Sequence, residues 1–123
     1  MPIVIANKVI QTFARISPLG SSFTTAATQM VQHNDRRIGL FIENPSPATF
    51  YLSHNADITT LNGIILAANG GSYSLNFQED GELCTLPVFG ITDSGTRTIF
   101  VMETVLSIGW DEVERIVNAG GGR

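Results

Sequence analysis

The side chains best suited to chemistry in this 123-residue chain are two histidines, a single cysteine and a knot of acids. His33-Asn34-Asp35 and His54-Asn55-Ala56-Asp57 each set an imidazole near a carboxylate in a polar stretch, where a divalent ion could sit. No Cys-x-x-Cys, His-x-x-x-His or Glu-x-x-His accompanies them, so neither brings a full ligand set. Turn-forming residues account for both segments equally well. Glu79, Asp80 and Glu82 cluster as the paired carboxylates of a glycosidase do, yet they flank Gly81 and read as a solvated turn. Cys84 has apolar Leu83 and Leu86 close by, which marks it as a buried core thiol rather than a nucleophile.

Other signatures fail on context. No Gly-x-Ser-x-Gly elbow occurs among the many serines. Gly70-Gly71 and Gly120-Gly121-Gly122 lack the following Lys-Ser/Thr and the strand-to-helix setting of a phosphate loop. Phe41, Phe50 and Tyr51 could form an aromatic platform for a sugar or a base. Alternation sends Phe50 to the core, however, and leaves Tyr51 or Phe41 singly exposed. The residues therefore point to no catalytic group, no metal and no cofactor, and a non-enzymatic role is expected.

Composition bounds the rest. The length fits one domain with a real core, and 43% hydrophobic residues argue against disorder. Only 15% of residues are charged, so Ser, Thr, Asn, Gln and Gly must cover much of the surface. Such a surface loses little hydration energy when another protein covers it. A net charge of −4 and the single basic pair Arg36-Arg37 leave little with which to neutralise phosphates, so nucleic acid is not an expected partner. One cysteine forms no internal disulfide. The opening Met1-Pro2-Ile3-Val4-Ile5-Ala6-Asn7-Lys8 has no charged leader, and its apolar run is too short for a signal peptide. No stretch reaches transmembrane length, so cytoplasmic synthesis and no membrane are expected.

The elements that must position these residues are mostly strands. Residues 1–20 alternate loosely and end in the break Ser17-Pro18-Leu19-Gly20-Ser21-Ser22, reading as an arm or a first strand. Residues 21–108 read as a β-domain. Ile38, Leu40 and Ile42 share one face of a strand that Asn44-Pro45-Ser46-Pro47 stops. Phe50 and Leu52 share a face of the next. Ser72–Gln78 alternates throughout, with Tyr73, Leu75 and Phe77 inward. Leu86–Ile91 and Thr96–Glu103 flank Asp93-Ser94-Gly95 and read as a hairpin, with Pro87 marking an edge or a bulge. Phe23–Val31 and Gly63–Ala67 bring the total to about seven strands, spaced as in sandwiches. Residues 109–123 change period: a capping box at Asp111 and Glu114 precedes Val113, Ile116 and Val117 on one helical face, and Gly120 ends it. The expected fold is a single-domain antiparallel β-sandwich or jelly roll, with an N-terminal arm and a short C-terminal helix.

The stretch from Arg36 to Thr104 carries a resemblance. Arg36–Asn44 resembles the opening strand of small phage virion β-domains, in which Arg and a hydrophobic run end in Asn. Thr49–Ser53, Gly63-Ile64-Ile65-Leu66, Gly71–Leu75 and the closing Val101-Met102-Glu103 follow in the same order. The chain thus resembles capsid decoration (cement) proteins and related head or tail accessory proteins. The resemblance implies a β-sandwich that acts by docking, often as a trimer, with no catalytic residues. On it rests the expectation of a protein on the capsid surface of a virion, bound to the major capsid protein. A head–tail connector, a tail accessory protein and a carbohydrate-binding module are the alternatives, with a metal-dependent hydrolase using His33 or His54 beyond them. The expected contact residues are Ile3, Ile5, Val9 and Phe13 of the arm, Arg36 and Arg37 of the basic pair, and Trp110. The arm is pictured as adding a strand to a neighbour, or else as the first strand of the chain's own sheet.

Overall fold

Hydrophobic alternation buries one face of a strand and leaves the choice of partner to the connections. A computed structural model of the chain describes residues 3–5, 8–10, 12–16, 19, 21–107 and 115. The strands are β1 (Ile3–Ile5), β2 (Lys8–Ile10), β3 (Thr12–Ile16), β4 (Ser22–Phe23), β5 (Thr28–Val31), β6 (Arg37–Asn44), β7 (Phe50–Ser53), β8 (Ile64–Leu66) and β9 (Gly71–Asn76). A one-turn helix α1 (Phe77–Asp80) and a 3₁₀ turn (Gly81–Thr85) follow. The last strands are β10 (Val88–Thr92), β11 (Arg97–Thr98) and β12 (Phe100–Leu106).

Two four-stranded antiparallel sheets form the body, in the orders β3-β12-β6-β9 and β5-β10-β7-β8. Two short ribbons, β1-β2 and β4-β11, complete the pairing. Successive pairs run β3 with β12, β4 with β11, β5 with β10, β6 with β9 and β7 with β8. The chain is thus one long hairpin, closed at β7–β8 and rolled so that alternate pairs fall in opposite sheets. That is the eight-stranded jelly roll, one of the two architectures the alternation allowed. The protein is mostly β, as expected.

Side chains from both sheets meet in one core. Leu40, Ile42, Leu75 and Val101 face Met30, Phe50, Leu52, Leu66 and Val88, and Phe23, Cys84 and Ile99 join the same cluster. Phe23 meets Phe50 edge-on at 5.4 Å, so the β4-β11 ribbon is packed into the core rather than lying loose. Gly90 is needed beneath that contact, because a Cβ there would lie 2.3 Å from Phe50 Cζ.

Several sequence expectations change. Leu86–Ile91 and Thr96–Glu103 do not form a hairpin: β10 pairs with β5 and β7, whereas β12 pairs with β3 and β6 in the other sheet. Residues 93–96 cross between the sheets, with Gly95 at φ 65°. Alternation was the same on both sides of that turn and carried no information on sheet membership. Pro87 does precede a register shift, between Val88 and Phe89. The segment Phe23–Val31 divides into β4 and β5, and Thr96–Glu103 divides at the buried Ile99 into β11 and β12. The strand expected over 72–78 ends at Asn76, whose side chain accepts from the Glu79 N–H and starts α1. The short helix and glycine tail expected over 109–123 lie outside the described residues, apart from the helical Arg115.

The loop after β6 is tied by one amide. Asn44 is fully buried and donates Nδ2 to the carbonyls of Ala48 (2.8 Å), Leu66 (3.2 Å) and Ala67 (3.2 Å). Its Oδ1 accepts from the N–H (3.1 Å) and Oγ (2.7 Å) of Ser46. Gly71 fits against the same knot, since a Cβ there would sit 2.4 Å from the Ala67 nitrogen.

Candidate functional site

The groups that could do chemistry are placed apart and mostly spoken for. His33 Nε2 lies 3.2 Å from Asp35 Oδ1, with both side chains largely exposed. His54 donates Nδ1 to the Pro87 carbonyl at 3.0 Å and has a buried Nε2 without a hydrogen-bond partner. Among the described residues, no group of three or more His, Cys, Asp or Glu side chains could hold a metal ion. Glu79 accepts from Asn76 Nδ2 (2.8 Å), and Asp80 accepts from the Asn76 N–H (2.9 Å). These carboxylates therefore brace the first turn of α1 rather than facing each other across a cleft. Cys84 is buried, and burial raises its thiol pKa; Arg37 nearby lowers it and Asp80 raises it further. A neutral, inaccessible thiol is a poor nucleophile.

The basic pair splits. Arg36 is exposed, and its Nη1 reaches the Ser107 carbonyl at 3.4 Å. Arg37, expected at an interface, is completely buried, which removes it from any contact surface. The cause is a bulge. On β6, Gly39 pairs with Thr104, but the next pair is Arg37 with Val105, so Ile38 is the extra residue. Alternation from Leu40 and Ile42 would point Arg37 outward, and one inserted residue reverses that.

The buried guanidinium is completely engaged. Arg37 donates Nε to Glu103 Oε1 (3.0 Å), Nη1 to the carbonyls of Leu86 (3.0 Å) and Cys84 (3.3 Å), and Nη2 to the Gln32 carbonyl. Glu103, itself buried, holds the half-exposed Arg15 Nε on its other oxygen at 3.0 Å. One carboxylate thus joins β3, β6 and β12, and one guanidinium ties the 3₁₀ turn and the end of β5 to them. Sequence reasoning missed this triad, although a signal was present. Val101, Glu103 and Val105 share one face by period two, and an acid there demands a buried cation. Beside the triad, Arg15, Glu103, Gln32, His33 and Asn34 line a pocket of about 40 Å³. A second hollow of about 170 Å³ is lined by Ser53, Asn55, Asp57, Ile58 and Asn62.

The arm residues separate as well. Phe13 stands on β3 opposite Val105, inside the chain's own sheet, so residues 12–16 are the first strand and have no free edge toward β12 to offer a neighbour. Ile3 and Ile5 lie on β1 and Val9 on β2, which pair with each other as a ribbon: Ile3 opposite Ile10, Val4 opposite Val9, Ile5 opposite Lys8. Trp110 lies outside the described residues.

What the outside offers is apolar in two places. Across the outer face of the β3-β12-β6-β9 sheet, Ile16, Met102 and Phe41 occupy one row, and Phe100 meets Phe41 edge-on at 6.1 Å. Ile16 and Phe100 are both exposed. At the far edge of the other sheet, Leu61, Ile64 and Ile65 are exposed together. Both places suit protein contact better than chemistry. Tyr51 is only half exposed, with Gly63 and Ile58 packed beside it, so it makes no open platform. Comparison with protein-family models, with curated proteins and with solved structures finds no match for the chain.

Proposed function

We propose that this chain is a structural virion protein, a decoration protein that docks on the outer surface of an icosahedral phage head and stabilises the shell. The observation that carries the reading is the jelly-roll strand order, an architecture shared by viral capsid domains. Fold alone names no function. The sparsely charged surface and the exposed apolar rows supply the second support, because they suit burial against protein.

In this reading the β1-β2 ribbon, with Ile3, Ile5 and Val9, is the arm that grips the major capsid protein, and β3 anchors it in the sheet. Exposed Arg36 belongs to the same docking role, and Trp110 is assigned to it from the sequence. Weak contacts repeated around a symmetric oligomer, threefold by the resemblance, multiply into high avidity. Nucleic acid and membrane have no part in the scheme. The first test is the copy number of the protein in purified virions against the major capsid protein, measured by quantitative mass spectrometry. A ratio near one, or a simple fraction of one, supports decoration of the whole shell. A handful of copies per particle moves the protein to the head–tail connector or tail, and absence refutes a virion role.

A second reading has one observation in its favour: jelly rolls also build lectin domains. A non-catalytic carbohydrate-binding module would bind members of a broad glycan panel, and a blank on that panel ends the reading.

A further inference from the structure

The loop that joins β7 to β8 forms the polar hollow of about 170 Å³, lined by Ser53, Asn55, Asp57, Ile58 and Asn62. Its own side chains hold its shape. Asn55 N–H donates to Ser53 Oγ (3.1 Å), Asp57 N–H to Asn55 Oδ1 (2.9 Å) and Thr59 N–H to Asn62 Oδ1 (2.7 Å). Asn62 Nδ2 reaches the Asp57 carbonyl at 3.4 Å. Where the loop meets β8, a Cβ on Gly63 would lie 2.9 Å from Tyr51 Cβ, so the chain sits close against β7. A lining tied in this way gives up little conformational freedom when a ligand enters.

What these bonds leave over selects the ligand. The oxygens of Asn55 and Asn62 are turned to backbone N–H groups. Still open are Asn55 Nδ2, the Ser53 hydroxyl proton and both oxygens of Asp57, whose carboxylate has no hydrogen bond or ion pair among the described residues. Asp57 is also the one charged side chain between Asn44 and Gln78. A calcium ion takes about 6–8 oxygens, and a single carboxylate beside amide oxygens already engaged falls well short of that. An apolar ligand would strip water from the carboxylate and give it no partner. A ligand that donates and accepts at neighbouring atoms satisfies all the open groups, and adjacent hydroxyls do this. Size agrees: pockets for drug-sized ligands run to about 300–1,000 Å³, so this hollow suits one ring rather than a chain of them.

We propose that the β7–β8 hollow is a saccharide site that takes one neutral sugar residue. Asp57 accepts from two adjacent hydroxyls, Asn55 Nδ2 donates to a hydroxyl oxygen beside them, and Ile58, 5% exposed, is the apolar part of the lining that meets ring C–H groups. The inference rests on the carbohydrate-binding reading and deepens it, giving that reading a site that does not depend on Tyr51. It is tested on the isolated protein, so the copy number in virions stays a separate question.

The test applies the purified full chain to a panel of immobilised neutral glycans. The methyl glycoside of the terminal sugar bound best is then titrated into nitrogen-15-labelled protein and followed by NMR. Asp57→Asn keeps the side-chain shape and removes the charge. Asn55→Asp keeps the oxygen that holds the Asp57 N–H and removes the amide donor. Both positions are exposed, and unchanged urea unfolding checks that the fold is kept. Wild type should show amide shifts centred on residues 53–62, and each variant should weaken binding by about 10-fold or more. Calcium chloride alone is titrated in parallel, because a cation would bind Asn55→Asp more tightly, through its second carboxylate; that pattern overturns the proposal. A blank glycan panel overturns both the site and the carbohydrate-binding reading. Sugar binding that either variant retains in full, or shifts centred elsewhere, overturns the site and leaves that reading standing.

Discussion

Replacing Arg37 by methionine removes the only buried guanidinium among the described residues and keeps a similar volume in place. The side chain has no solvent exposure and four acceptors: one carboxylate oxygen and the carbonyls of residues 32, 84 and 86. Methionine satisfies none of them. Three carbonyls lose their donor, and Glu103 keeps only Arg15, whose side chain is 42% exposed. Breaking a buried ion pair by removing one partner costs about 3–5 kcal/mol. Against a typical domain stability of about 5–15 kcal/mol, that is about a fifth of the total or more. At this chain length it corresponds to a fall in Tm of roughly 10–20 °C.

The control uses the same carboxylate. Arg15→Met removes an ion pair of equal length but half open to water, where solvent screening holds the loss to about 1 kcal/mol or less. Urea unfolding followed by far-ultraviolet circular dichroism, with constant slope, measures both. A further variant, Arg37→Met/Glu103→Leu, should regain part of the loss, because an apolar pair replaces an orphaned acid. Equal costs for Arg37→Met and Arg15→Met, or a cost below about 1 kcal/mol for Arg37→Met, would refute the assignment of burial as the source of the difference.

Four other outcomes are expected. Asn44→Ala should cost about 2–4 kcal/mol by urea unfolding, since it strips a buried amide from the β6–β7 and β8–β9 loops at once; a loss under about 0.5 kcal/mol would contradict the knot. Gly90→Ala should cost about 1–3 kcal/mol by forcing the Phe50 ring off its seat, and a neutral result would show that the ring has room. Deleting residues 2–10 should leave the cooperative unfolding transition in place, whereas deleting residues 2–16 takes β3 from the sheet and should abolish that transition or weaken it severely; identical transitions would mean that β3 contributes nothing. Stability should also fall at alkaline pH. Burial, with Asp80 and then Cys84 adding to it, raises the Tyr73 pKa, and burial raises that of Cys84. The fold therefore favours the protonated forms, and the stability they contribute is present below the ordinary thiol and phenol pKa values and lost as pH rises through the higher folded ones. Tyr73→Phe should flatten the upper part of that decline, and an unchanged profile would exclude Tyr73 as a contributor.

Much of the strand content was legible because one-sided burial leaves a period-two trace. Leu40 and Ile42, Phe50 and Leu52, and Leu75 all face the core as their spacing required. Partnership was not legible. The segments either side of Asp93-Ser94-Gly95 looked like a hairpin because both alternate, yet long-range pairing sends β10 and β12 to opposite sheets. Arg37 was misplaced for a different reason: a bulge changes the phase of a strand without changing composition, so Ile38 appeared to be the inward residue. Glu103 could have been caught, since an acid between Val101 and Val105 breaks an otherwise apolar face. Of the expected contact residues, Arg37 proved to be buried and Phe13 to stand on β3 of the chain's own sheet, whereas the strand over Gly63–Ala67 was legible but the exposure of Ile64 and Ile65 on it was not.

The rolled hairpin also sets an order of events during synthesis. Arg15 and Glu103, which meet across β3 and β12, stand 88 residues apart in the chain. At translation rates of about 5–20 residues per second, β3 waits roughly 4–18 s for its partner strand to be made. Every outer pair of the roll waits in the same nested way, and within the roll it is β7–β8 at the tip that forms from neighbouring sequence, as the separate β1-β2 ribbon does before it. Folding of this chain is therefore expected to begin at the β7–β8 turn and close outward, with the ion triad among the last contacts made. The β5 strand, with Met30 and Val31 bound for the core, then spends seconds without its partner on the growing chain, and those seconds, more than the stability of the finished sandwich, would set how much of the protein escapes aggregation.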